Sequence, residues 1–168
     1  MKSTIIHSAL VCTLASCVSA EQAVMIKNGG LVAAITPSSS GSLTSLKRTG
    51  GKSDLLSGPS FVDVLMLPGR RRVSLTSQVY DVKDSDGKTV TLVTTLSPES
   101  GDGTVAAFAG LQITKRFSLS SRTAKLGIEY ELTNTGEQAL ALCLGTHVSL
   151  AAEPADRLSV PTRFGVVT

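Results

Sequence analysis

The stretch KLGIEYELTNTGEQALALCLGTHVSL, Lys125 to Leu150, sets the reading of the whole chain. Its first eight residues alternate: Leu126, Ile128, Tyr130 and Leu132 point one way, and Glu129 and Glu131 point the other. A period of two is the signature of a strand with one face in a core and one in water. Asn134-Thr135-Gly136 then reads as a turn. ALALCLGTHVSL beyond it reads as a partner strand, with Leu140, Leu142, Leu144, Thr146 and Val148 on one face. The opposite face carries Ala139, Ala141, Cys143, Gly145 and His147, so a histidine closes a row of small residues and has space in front of it. Cys143, in so apolar a strand, is expected to be a small buried hydrophobe.

The same grammar runs through the rest of the mature chain. AVMIK and LVAAI flank Asn28-Gly29-Gly30, a hairpin signal because these residues tolerate positive φ. FVDVLML stops at Pro68-Gly69, and RRVSL and QVYDV follow. Ser85-Asp86-Gly87 makes a tight turn into TVTLVTTL, a run rich in β-branched residues. The loop SPESGDGT leads to GLQITKRFSL and AKLGIEYEL. No segment shows sustained helical spacing with caps, and turns recur at short intervals. The expectation is an all-β antiparallel sandwich.

At 168 residues the chain is long enough for a leader and one domain with a substantial core. A net charge of +3, one unit of it from Lys2, leaves the domain only weakly basic. The basic run Arg70-Arg71-Arg72 reads as a solvated strand end, so no nucleic-acid partner is expected. With no Trp, two Tyr and four Phe, the chain is short of the flat aromatic surfaces on which sugars stack.

MKSTIIHSALVCTLASCVSAEQ has Lys2, an apolar stretch from Ile5 to Ala15, and then small residues, the layout of an export signal. The stretch is shorter than the roughly 20 residues a spanning helix needs. Two processing routes are open. Val18-Ser19-Ala20 offers cleavage before Glu21, giving a leader of residues 1–20 and a domain of 21–168. LASC, Leu14 to Cys17, resembles the bacterial lipobox and gives a leader of 1–16 with lipid attached to Cys17. The second is preferred because it sits directly behind the apolar stretch. Either route predicts an exported protein of the periplasm or cell envelope, touching the membrane only through a lipid on Cys17. With Cys12 removed and Cys17 lipidated or discarded, Cys143 has no partner for an intrachain disulfide.

Two stretches resemble the galactose mutarotase-like (aldose 1-epimerase-like) superfamily. MIKNGGLVAAITPSSSGSLTSLKRTGGKSDLL is similar to that family's opening, with Ser40-Gly41 where two adjacent glycines are common. DGKTVTLVTTL together with GLQITKRFSL through GTHVSL is similar to its central strands, the NTG turn and the histidine that closes the next strand. The resemblance implies the N-terminal portion of a β-supersandwich and a carbohydrate ligand. In that family a histidine protonates the sugar ring oxygen while a glutamate takes the anomeric hydroxyl proton. The resemblance places His147 at the acid. The aromatic context of that histidine is replaced by HVSL, the family's other sugar-binding histidine has no counterpart, and Glu153 lies too near to be the base. The implied protein is therefore a carbohydrate-binding envelope sandwich that is not catalytically complete alone. The alternatives are an assembly lipoprotein that binds another envelope protein and a fragment of an epimerase-like enzyme.

Other groups have plainer readings. Asp81, Asp84 and Asp86 around Gly87 lack the later glutamate and loop length of an EF-hand and read as a hairpin turn. Glu129 and Glu131 share a strand face as glycosidase carboxylates do, but alternation on a solvated strand accounts for them. Gly101-Asp102-Gly103 is loop chemistry, with no helix behind it to cradle a phosphate. No metal site and no cofactor is expected.

The two processing routes differ in a measurable mass. Mass spectrometry of the mature N-terminus is expected to find a lipidated Cys17, and an unmodified chain starting at Glu21 would select the other route.

Overall fold

The computed structural model describes residues 22–67, 71–99 and 105–151. Cys17 and both leader cleavage sites, Pro68 to Arg70, Gly101-Asp102-Gly103 and Glu153 lie outside the described residues. The described chain is built from ten strands: β1 (Val24–Lys27), β2 (Leu31–Thr36), β3 (Ser42–Arg48), β4 (Val62–Leu67), β5 (Arg71–Ser74), β6 (Asp81–Ser85), β7 (Thr89–Thr95), β8 (Leu111–Leu119), β9 (Leu126–Asn134) and β10 (Cys143–His147). One 3-10 turn, Val105–Phe108, precedes β8. The protein is all-β, and every strand pair is antiparallel.

The strands form three sheets, ordered β1-β2-β3, β10-β4-β5 and β6-β7-β8-β9. The first hairpin closes over Asn28-Gly29-Gly30 with Lys27 opposite Val32, as the turn residues predict. Asn28 Oδ1 accepts from the Gly30 amide at 2.9 Å, an Asx turn that fixes the reversal. Leu43 and Ser60 form an isolated bridge that ties the β3 end of the first sheet to the start of β4. In the four-stranded sheet, Val90 and Leu92 of β7 and Ile113 and Phe117 of β8 are fully buried at period two, and they pack with Ile26, Ile35, Leu43 and Leu65 of the other sheets. One sheet thus closes over the other two, as the alternation demands.

Three expectations need correction. β10 does not pair with β9: it pairs with β4, Cys143 opposite Met66 through His147 opposite Val62. Thr135 to Leu142 is a connection between sheets, and strand structure begins again only at Cys143. Leu140, Leu142 and Leu144 still turn to the core, but Val148 is 40% exposed because it lies past the strand end. Cys143 is exposed, since β10 is an edge strand whose second face meets water. Finally, β6 starts at Asp81 and runs through Ser85, so Tyr80 is a buried residue of the approach to the strand.

The Asp86 turn has a direct explanation. Asp86 Oδ1 accepts from the amides of Lys88 (2.8 Å) and Thr89 (2.6 Å), while Gly87 takes φ 79°. Those amide bonds hold the Asp86 carboxyl below its ordinary range. Turn closure occupies this carboxylate, and no group of three metal-ligating side chains occurs among the described residues.

Candidate functional site

His147, the sequence candidate for an acid, ends β10 with its side chain exposed. Its backbone carbonyl accepts from the Phe61 amide at 2.5 Å, so the residue helps fasten β10 to β4. The imidazole makes no hydrogen bond or ion pair to the described residues. Ala139, Ala141 and Cys143 on the same face are exposed too.

The polar residues that the fold does bring together lie between the layers. Asp63 of β4 and Lys115 of β8 are both without solvent contact, and Lys115 Nζ stands 2.7 Å from Asp63 Oδ2. Tyr80 Oη donates to Asp63 Oδ2 at 2.7 Å, and Tyr130 Oη donates to Oδ1 at 2.8 Å. Lys115 Nζ also donates to the carbonyls of Ser40 (2.9 Å), Phe61 (2.8 Å) and, more weakly, Gly41 (3.2 Å). That set of acceptors is the geometry of an ammonium with all three hydrogens used. The rings of Tyr80, Tyr130 and Phe117 lie 5.2 to 5.8 Å from the same nitrogen and add cation–π attraction.

Local backbone is bent to serve this centre. Among the described residues Ser40 (φ 57°) and Phe61 (φ 61°) are the non-glycine residues in the left-handed region, and both lend their carbonyls to Lys115. Such conformations cost on the order of 1–3 kcal/mol each, which charge-assisted hydrogen bonds offset. Ser40 Oγ also accepts from the Asp63 amide at 3.3 Å. Gly41 beside it has φ 53°, and a Cβ there would stand 2.8 Å from Leu92 Cδ1. Gly41 is thus favoured both by its backbone conformation and by close packing against β7.

Burial draws the Lys115 ammonium below the ordinary lysine range, and the Asp63 charge and hydrogen bond oppose that pull. Burial, reinforced by the Asp63 charge, holds both phenols well above their ordinary value of 10.0. The four side chains bond one another, and the Ser40 and Phe61 carbonyls take up the remaining ammonium hydrogens, which is what a buried structural pair requires.

The second constellation lies on the solvent side of the four-stranded sheet. A trough of about 430 Å³ is lined by Lys83, Asp84, Thr91, Thr114, Arg116, Glu129, Tyr130 and Glu131. Register explains the grouping. Asp84 lies opposite Thr91, Thr91 opposite Arg116, and Arg116 opposite Glu129, one row across four strands. A register shift between Val82 and Asp84 leaves Lys83 as an extra residue, and Lys83 and Asp84 both border the trough. Arg116 Nη1 and Glu129 Oε2 are 3.8 Å apart with both side chains more than half exposed, a weak pair that contributes little to stability.

Sequence alternation placed Glu129 and Glu131 on the solvent face correctly, and their neighbours in the trough come from three other strands. Lys115 and Asp63 were missed. The signal was present: each occupies an inward position by period two, Lys115 between Ile113 and Phe117 and Asp63 two residues before Leu65. Opposite charges at inward positions of two apolar strands predict a buried pair.

No family model matches the chain, and no curated protein does. Among solved structures the chain is similar to the 4-alpha-glucanotransferase from Thermococcus litoralis, with 13% sequence identity and a TM-score of 0.58. The likeness covers 80% of this chain and 26% of that one, so this chain spans about a quarter of the protein it resembles. At that identity the likeness is one of fold.

Two outcomes follow for the buried centre. Lys115→Met should cost about 3–5 kcal/mol in urea denaturation, because Asp63 is left as an uncompensated buried charge. Tyr80 and Tyr130 are the chain's two tyrosines, so phenolate absorbance reports on this centre alone. Above pH 10 an unfolded chain loses its phenol protons while the folded one keeps them. The unfolded state then binds fewer protons, and stability falls as pH rises past 10. An alkaline titration should therefore show no phenolate until the protein unfolds, and a smooth titration of either tyrosine in folded protein near pH 10 would refute the assignment.

Proposed function

We propose that this chain is an exported cell-envelope β-sandwich protein with a mutarotase-like fold that binds carbohydrate and does not complete an epimerase cycle alone. The observation that carries the reading is the trough on the outer face of the four-stranded sheet. Its volume falls within the range of small-ligand sites, roughly 300–1,000 Å³. Arg116 and Lys83 supply donors, Asp84, Glu129 and Glu131 supply acceptors, and Thr91 and Thr114 supply both, which suits the adjacent hydroxyls of a sugar. The fold likeness to a protein named as a 4-alpha-glucanotransferase adds support for a glucan as the sugar class. The rings of Tyr80 and Tyr130 are engaged with Lys115, so a sugar here is held by polar contacts and binds weakly.

The chemistry argues against turnover. Ring opening needs an acid at the ring oxygen and a base at the anomeric hydroxyl together. His147 stands on a different sheet from the trough carboxylates and has no carboxylate partner among the described residues.

Calorimetric titration with glucose, galactose and 4-α-linked glucose oligomers is expected to show millimolar binding of the oligomers, abolished by Arg116→Ala, while polarimetry of α-galactose stays at the buffer rate. Absence of heat with every sugar would overturn the binding site. Accelerated mutarotation that disappears in His147→Ala would make His147 the catalytic acid.

A further inference from the structure

Each sheet edge is a row of backbone donors and acceptors that invites another strand, and most edges of this protein are guarded. β1 and β5 are four residues long, and β5 carries the exposed Arg72. β10 has five residues. β3 is covered in part by the bridges from Lys47 to Asp54 and from Leu43 to Ser60. β6 has five exposed residues, a register shift and the charged side chains Asp81, Lys83 and Asp84.

β9 has one of these guards, the exposed charges of Glu129 and Glu131, and lacks the others. It runs nine residues, Leu126–Asn134, with no lysine, no proline and an unbroken register against β8. Among the described residues β8 is its one hydrogen-bonded neighbour. The phase of its free edge follows from the flanking bonds. Leu96 donates to the Leu111 carbonyl, so the odd-numbered residues of β8 face β7. Ser120 donates to the Lys125 carbonyl, so the even-numbered residues face β9 and bond its odd-numbered residues. The amides of Ile128, Tyr130 and Leu132 therefore point out of the sheet.

The side chains beneath this edge are incompletely covered as well. Inward residues of β8 are at most 5% exposed, whereas Leu126, Ile128, Tyr130 and Leu132 of β9 are only partly buried. Leu140, Leu142 and Leu144, on the way into β10 and within it, are in the same state.

We propose that the free edge of β9 is a docking site for an extended segment of another polypeptide, in which apolar residues alternate with lysine or arginine. The apolar residues continue the inner face beside Ile128 and Tyr130. The basic residues lie outward, opposite Glu129 and Glu131. Charge selects this partner. Glu129 has only the weak contact with Arg116, and Glu131 faces Thr114 across β8, so the β9 side of the sheet is acidic. A second copy is disfavoured by the same charges. Full antiparallel overlap of two β9 strands about Tyr130 sets Glu129 opposite Glu131 twice, and like charges directly opposite destabilise a strand pair. Backbone bonds supply the affinity and the alternate side chains the specificity, as in strand addition generally.

Hydrogen exchange on the full mature chain tests the docking site without any sugar. Alone, the amides of Ile128, Tyr130 and Leu132 should exchange fast while those of Gly127, Glu129 and Glu131 are slow. A synthetic peptide as long as β9, alternating valine with lysine, should slow the first three, and the same peptide with glutamate for lysine should not. Glu131→Lys should weaken the lysine peptide about fivefold and strengthen the glutamate peptide. Three results would each overturn the proposal: protection of the three amides in the free monomer, which means an edge covered by the chain itself; protection that rises with protein concentration, which means self-association; and equal response to both peptides.

Discussion

A lysine ammonium and an aspartate carboxylate meet between the layers with no solvent contact, and the arrangement of the strands around them follows from satisfying both. Desolvating two such ions costs several kcal/mol each, which their attraction repays only if every remaining hydrogen and lone pair finds a partner. Here the partners come from all over the sequence. Asp63 is on β4, Lys115 on β8, Tyr130 on β9 and Tyr80 just before β6, and the carbonyls come from Ser40 and Phe61. A sandwich packed by apolar side chains alone tolerates small slides between sheets. One with this centre does not, because a slide draws Asp63 away from Lys115 and from both tyrosine hydroxyls.

The inner and outer constellations are the same strands seen from two sides. Lys115 turns inward, so Arg116 must turn outward into the trough. Tyr130 turns inward to Asp63, so Glu129 and Glu131 must flank it outward. The buried pair fixes the phase of β8 and β9 and thereby composes the polar trough, although no atom of the pair needs to touch a ligand. Both tyrosine rings are spent on the inner centre. The trough on the outer face is left with charged and hydroxyl groups.

The same phase leaves β9 unusual at the sheet margin. β6, at the other margin, is short, charged and kinked, so its open backbone is a poor template. β9 is long and regular because nine consecutive residues pair with β8, and its far side is then a regular template too. The connection Thr135 to Leu142 carries the chain from β9 to the other layer, where β10 finds β4, and that departure leaves β9 with β8 as its one strand neighbour among the described residues.

The sequence by itself determined the strand alphabet: alternation in KLGIEYEL, the Asn28-Gly29-Gly30 reversal and the Asp86 turn are local, and period-two burial and side-chain capping produce them wherever they occur. It also carried the inward charges of Lys115 and Asp63 in plain view, since their positions obey the same period. Partner choice was decided only by tertiary structure. ALALCLGTHVSL pairs equally well in principle with any antiparallel neighbour, and nothing local distinguishes β9 from β4. The buried centre makes the distinction, because Tyr130 and Asp63 must approach from opposite layers, and so β9 and β10 part company. That separation exposes Cys143 and His147 to water, and it gathers Asp84, Arg116 and Glu129 into one row, because cross-strand neighbours are set by register across the sheet and not by distance along the chain.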